Sequence, residues 1–138
     1  MDKALNYLAL AKKGRLIELG EEPVGAITRA VKGRLVIVAS DASDHTWRRA
    51  KSFVAGTDQQ CLWVPFTKEE LGFVVGRTSL AIAAFTDAAM ALAFVKALPD
   101  QEKAKEVREN LEAKSKKLRQ RKDEAKAHER NVRMGKKK

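Results

Sequence analysis

The run Leu35-Val36-Ile37-Val38-Ala39-Ser40-Asp41-Ala42-Ser43 decides the fold. Its first five residues are apolar with no polar break, and three of them are β-branched. A strand with one wet face would alternate polar with apolar, so this run predicts a strand covered on both faces. Asp41 or Ser43 can then cap a helix reaching about Ala55. On the N-terminal side, Pro23 opens a helix that carries Val24, Ile27 and Val31 on one side, with Gly33 as its stop. Before it, Arg15-Leu16-Ile17-Glu18-Leu19 reads as a short strand. Ala4, Leu5, Leu8 and Ala11 form one helical face that ends near Gly14. On the C-terminal side, Cys61-Leu62-Trp63-Val64 is the third strand. Thr67-Lys68-Glu69-Glu70 has capping-box spacing, and the short helix it starts closes at Gly76. Leu80-Ala81-Ile82-Ala83-Ala84-Phe85 is the fourth strand, and Thr86 caps a last helix to about Leu98. Strands alternating with helices predict a layered α/β sandwich.

Charge divides the chain in two. Residues 100–138 hold 15 Lys+Arg and 8 Asp+Glu, a net of +7, whereas residues 1–99 hold 13 and 10, a net of +3. Every aromatic residue precedes Pro99. The sequence therefore predicts a globular domain over residues 1–98 and a basic, charge-rich tail over 99–138, helical or disordered. In the tail, Ala104, Leu111, Leu118, Ala125 and Val132 recur every seven residues. The positions three further on, Val107, Lys114, Arg121 and His128, are mostly basic, and a coiled coil needs both seams apolar. Two readings stay open: a solvated, partly helical tail, or a basic helix that orders on RNA.

A total of 138 residues allows one domain with a tail. A 44% hydrophobic content supports a real core and excludes a wholly disordered chain. The formal charge of +10 favours a polyanionic partner, nucleic acid above all. Cys61 is the only cysteine, so an intramolecular disulfide and a multi-cysteine zinc site are excluded. With only His45 and His128 as histidines, a His-rich metal site is excluded too. The first residues lack a signal-peptide pattern. The most apolar stretch, Leu80 to Leu98, carries Asp87 near its middle and Lys96 near its end, which lipid disfavours. A cytoplasmic protein without a membrane partner is expected.

Catalytic signals are weak. Asp41, Ser43, Asp44 and His45 contain the residue types of a triad, yet all lie in one capping region, whereas a triad draws its members from separate elements. Cys61 lies in an apolar strand and reads as a core residue. Gly76-Arg77-Thr78-Ser79 lacks phosphate-loop spacing, and no GxGxxG is present. Trp63 reads as core. Trp47, between His45 and Arg48-Arg49, could stack on a base. No enzyme activity and no cofactor are expected.

The order of segments resembles the kink-turn-binding ribosomal protein family, in particular its bacterial YlxQ-like branch. The residues that carry the resemblance are Leu8-Ala9-Leu10-Ala11-Lys12-Lys13-Gly14-Arg15-Leu16, Gly20-Glu21-Glu22-Pro23-Val24, the Leu35–Ser43 run, Val64-Pro65, Thr67-Lys68-Glu69-Glu70-Leu71-Gly72 and Gly76-Arg77. They span about residues 3–97. The resemblance implies a three-layer α/β/α sandwich with a mixed four-stranded sheet. It also implies a non-catalytic protein that binds structured RNA, ribosomal RNA among the candidates. In the family, the turn into the second helix meets tandem sheared G·A pairs, and an apolar loop before the last strand covers an extruded base.

Transferred to this chain, the RNA-binding surface comprises Gly20, Glu21, Glu22 and Val24. It adds the basic groups Lys12, Lys13 and Arg15, then Lys32 and Arg34, then Gly76, Arg77 and Thr78, all expected to converge on one edge. Glu22 stands where the family has Asn or Lys, and Pro23 where it has Glu or Gln. Two acidic residues facing phosphate weaken binding. An alternative stays open on that account: a protein-interaction adaptor that docks on an acidic partner or on the ribosome surface.

Overall fold

The computed structural model describes residues 2–117. Its elements are α1 (Lys3–Lys13), β1 (Ile17–Leu19), α2 (Glu21–Arg29), β2 (Leu35–Val38), α3 (Asp44–Val54), β3 (Cys61–Trp63), α4 (Lys68–Val74), β4 (Ile82–Phe85) and α5 (Ala88–Lys96). A sixth helix, α6, covers residues 105–117. The four strands form one mixed sheet in the order β1-β4-β2-β3. β4 is antiparallel to both β1 and β2, and β2 is parallel to β3.

The decisive run lies where its composition demands. β2 and β4 occupy the middle of the sheet, and all four residues of each are buried. Alternate β2 side chains serve opposite faces, as the period of a strand requires. Leu35 and Ile37 join Leu8, Leu71, Phe85 and Phe94 in the larger core. Val36 and Val38 join Val24, Ala50, Ile82 and Ala84 in the smaller one. α1, α4 and α5 thus cover one face and α2 and α3 the other, giving the three-layer α/β/α sandwich. Trp47 and Trp63 stack with ring centroids 4.8 Å apart against the smaller core.

Helix starts follow side-chain chemistry. Asp2 caps α1 through Oδ1, which accepts from the Ala4 N–H at 2.8 Å. Ser43, rather than Asp41, caps α3 by accepting from the Thr46 N–H. Asp41 is used differently: its Oδ1 accepts from the Lys68 N–H at 2.8 Å and ties the turn after β2 to α4. The Thr67/Glu70 capping box forms in both directions. At α5 the cap is Asp87, not Thr86, because a carboxylate reaches the Met90 N–H at 2.8 Å. α2 begins at Glu21 with Gly20 as its N-cap, so Pro23 lies inside the first turn instead of opening the helix.

Helix stops differ more from expectation. α1 ends at Gly14 as expected, with that glycine as its C-cap, whereas α2 stops at Ala30, before Gly33; the left-handed residues that follow are Arg15 (φ 58°) and Val31 (φ 55°). In each case the next amide reaches back five residues: Leu16 N–H donates to Ala11 O at 2.8 Å and Lys32 N–H to Ile27 O at 3.0 Å. These are Schellman closures built on residues with a Cβ, a costlier choice than glycine. Gly33 serves a close approach instead. Its N–H donates to the buried Gln59 Oε1 at 2.8 Å, and a Cβ there would lie 2.8 Å from the same oxygen. Gln59 Nε2 in turn donates to Thr28 O at 3.0 Å, which joins the end of α2 to the start of β3.

The core continues past Pro99. Ala104, Val107 and Leu111 are buried in the larger core, on the stripe that a three- and four-residue spacing makes on a helix. The Gln101 amide donates to Leu98 O at 2.7 Å and Val95 O at 3.1 Å, and its Oε1 accepts from Arg108 Nη1 at 2.6 Å. Pro99 therefore breaks the helix but not the packing. The heptad positions Leu118, Arg121, Ala125, His128 and Val132 lie outside the described residues.

Candidate nucleic-acid interface

Strand direction separates the basic groups. β1, β2 and β3 run one way and β4 the other. The sheet therefore has an upper end, at the exits of β1–β3 and the entrance to β4, and a lower end at the reverse positions. Gly20 lies at the upper end, where its N–H donates to Ile82 O at 3.0 Å. Arg34 lies at the lower end, where its N–H donates to Phe85 O at 2.7 Å. Leu16, next to Arg15, accepts from the Thr86 N–H at the same end. Ile82 and Phe85 are three steps apart along a strand, about 10 Å. Lys12, Lys13, Arg15, Lys32 and Arg34 consequently do not converge with Gly20 and Arg77. The expected single surface is two surfaces, because β4 runs between them.

The upper surface is built on the start of α2. Gly20 (φ 96°) has no side chain to cap the helix. Its own N–H is used by Ile82, and Pro23 has none, so the free donors of the first turn are the amides of Glu21 and Glu22. The Arg77 guanidinium approaches this point: Nη1 lies 3.6 Å from where a Gly20 Cβ would be. Arg77 is delivered there by a turn that packs on α4, with its N–H donating to Gly72 O at 2.8 Å and Gly76 at φ 78°. Glu21 is neutralised sideways by Arg49, whose Nε is 2.6 Å from Glu21 Oε1, with both side chains half-exposed. Arg49 also lies 4.9 Å over the Phe53 ring. The result is two amide donors and one guanidinium at a helix N-terminus, a suitable setting for an anion, with the exposed Glu22 carboxylate beside them. Val24 is fully buried under α2, so its part is packing and it offers RNA no surface.

Next to Arg77 is an open groove lined by Asp41, Lys68, Glu69, Phe73, Arg77, Thr78 and Ser79. Phe73 is 77% exposed, the most exposed of the large hydrophobic residues among those described. The sequence reading missed it, although a signal was present. Leu71, Gly72 and Val75 face the core, and Phe73 falls outside that helical stripe. The loop before β4, Arg77-Thr78-Ser79, is polar, so the apolar surface here belongs to α4. Cys61 is half-buried in β3, where burial pushes its thiol pKa up and the nearby Lys51 charge pulls it partly back. Asp41 and Ser43 act as acceptors for backbone amides, and His45 is exposed on α3.

Neither a protein-family model nor a curated protein matches the sequence. Solved structures do. A protein of unknown function from Bacillus halodurans superimposes with a TM-score of 0.66 at 24% identity, over 72% of this chain and 100% of that one. The 15.5kD RNA binding protein of Giardia lamblia superimposes with a TM-score of 0.57 at 16% identity, over 69% of this chain and 81% of that one. What this chain has in common with both is the fold.

Proposed function

We propose that this chain is a non-catalytic, cytoplasmic RNA-binding protein of the kink-turn-binding ribosomal protein type, acting on structured RNA, with ribosomal RNA as the first candidate. The observation that carries the reading is the Arg77 guanidinium beside Gly20 at the donor-bearing start of α2. The likeness in fold to the Giardia RNA-binding protein supports it, as does the net charge of +10. Arg77 and the Glu21 and Glu22 amides take a phosphate at the upper end of the sheet. The exposed Phe73 ring, in the groove beside Arg77 and Thr78, offers a stacking face for an unpaired base. No helix among the described residues is long and apolar enough to cross a membrane.

The test compares two RNAs on the full-length chain: a kink-turn, and the same duplex with its G·A pairs replaced by Watson–Crick pairs. The kink-turn should bind more tightly. Arg77→Ala should weaken it by about 10- to 100-fold, the range for losing one charged hydrogen bond. Equal affinity for both RNAs, unaffected by Arg77→Ala, would refute this site and turn the reading to the protein-interaction adaptor.

A further inference from the structure

The lower end of the sheet holds a second concentration of charge that the upper site does not use. Ile17 and Leu35 both face Phe85, one from each side. Arg15 and Arg34, just before those strands, therefore flank the end of β4 at a separation of two strand spacings, about 10 Å. Lys12 and Lys13 end the helix that leads to Arg15, and Lys32 precedes Arg34 by two residues. Lys12, Lys13, Arg15 and Lys32 are exposed. Among the described residues none of these five cations is in an ion pair.

Two carboxylates near this end have partners of their own. Asp58 is paired with Lys114 at 3.7 Å, and Asp87 caps α5. Glu18 lies further up, opposite Ala84. The backbone under the cations is fixed by the two Schellman closures and by Gln59 on Gly33. Arg15 occupies a left-handed conformation in which glycine would be less strained. Lys114 of α6 also reaches this end, where its Nζ donates to Asp58 O at 3.2 Å.

We propose that this lower edge is a second RNA contact surface, which grips the phosphate backbone of a segment other than the one at the upper end, so that one domain bridges two RNA segments. The inference rests on the RNA-binding function proposed for the upper site. The grip is independent of sequence, because it is made of charge without a base-reading groove. Its two arms are preorganised, since the backbones at Arg15 and Arg34 are both tied to the end of the same strand.

The test uses the full-length chain and a triple variant, Lys13→Ala with Arg15→Gly and Lys32→Ala. Duplex affinity is titrated between about 50 and 200 mM salt. Each lost phosphate contact flattens the log–log slope by about 0.7–0.9, so the wild-type fall over that range should shrink roughly 20- to 40-fold. In parallel, a donor-labelled kink-turn and an acceptor-labelled duplex are mixed with protein. The wild type should give energy transfer from a ternary complex. The variant should keep its kink-turn affinity and lose the transfer, and its urea midpoint should not fall. A variant with unchanged slope and transfer overturns the proposal while leaving the upper site standing. So does polyglutamate of equal charge displacing the duplex as readily as RNA does, which would mark the edge as a dock for an acidic protein. A wild type that binds neither RNA ends both readings.

Discussion

Gly72 on α4 tests how the upper site is held together, because it touches no ligand yet carries the loop that bears Arg77. A Cβ at this position would lie 2.8 Å from both Ser79 N and Ser79 Cα and 2.9 Å from Arg77 O. Ordinary carbon contacts are about 3.5–4.0 Å, so the 77–79 backbone must retreat by roughly 0.7 Å or more. Because all three atoms are main chain and no flexible side chain can give way, the overpacking cost falls near the upper part of the usual range, about 3 kcal/mol. Replacing glycine by alanine inside a helix returns about 1 kcal/mol. Gly72→Ala should therefore destabilise by about 2 kcal/mol and displace Arg77 from Gly20. Urea denaturation gives the first quantity and kink-turn affinity the second. Both should fall, and kink-turn affinity should fall by about as much as for Arg77→Ala. Gly76→Ala is the control: its φ of 78° is strained for alanine, but a Cβ there meets nothing within 4 Å, so it should cost about 1 kcal/mol. An unchanged or raised urea midpoint for Gly72→Ala would refute the account of how the loop is seated.

Two further outcomes rest on burial. Leu111 is fully buried on α6, so Leu111→Ala should cost about 2–5 kcal/mol in urea unfolding of the full chain. A change within about 0.5 kcal/mol, typical of an exposed site, would show that the helix is a solvated extension. The Cys61 thiol should alkylate more slowly at mildly alkaline pH than a free cysteine, because burial raises its pKa and leaves less thiolate. Lys51→Ala removes the charge that lowers that pKa and should slow the reaction further, so faster alkylation in that variant would contradict the assignment.

The alternation of strands and helices was legible because each element carries a local signal. The unbroken β2 run, the Thr67 capping box and the Ala4/Leu5/Leu8/Ala11 face depend on neighbours within one turn or one strand, and all three formed. The helix ends were harder. Gly14 does cap the end of α1, but Gly33 does not end α2, and it is Arg15 and Val31 that adopt the left-handed conformation. Which residue turns the chain depends on where the next strand must start: Leu16 and Lys32 reach back to α1 and α2 before β1 and β2 begin. Phe73 was overlooked because an aromatic residue in a short helix is usually core, and only packing shows which side of α4 is covered.

Sequence by itself determined the elements, their layered α/β class and the excess of positive charge, since these depend on composition and short-range periodicity; the three-layer arrangement was implied only by the family resemblance. Two matters depended on tertiary structure. One was the extent of the core: the Ala104/Val107/Leu111 stripe is compatible with solvent, a coiled coil or a docked helix, and only the apolar groove it fills selects the last. The other was the partition of the cations. Residues 12–15, 32–34 and 77 are read in one line along the chain, but strand direction assigns the first two groups to one end of β4 and Arg77 to the other. Direction is a property of the sheet, set by which strands pair and in what order, and no single segment encodes it.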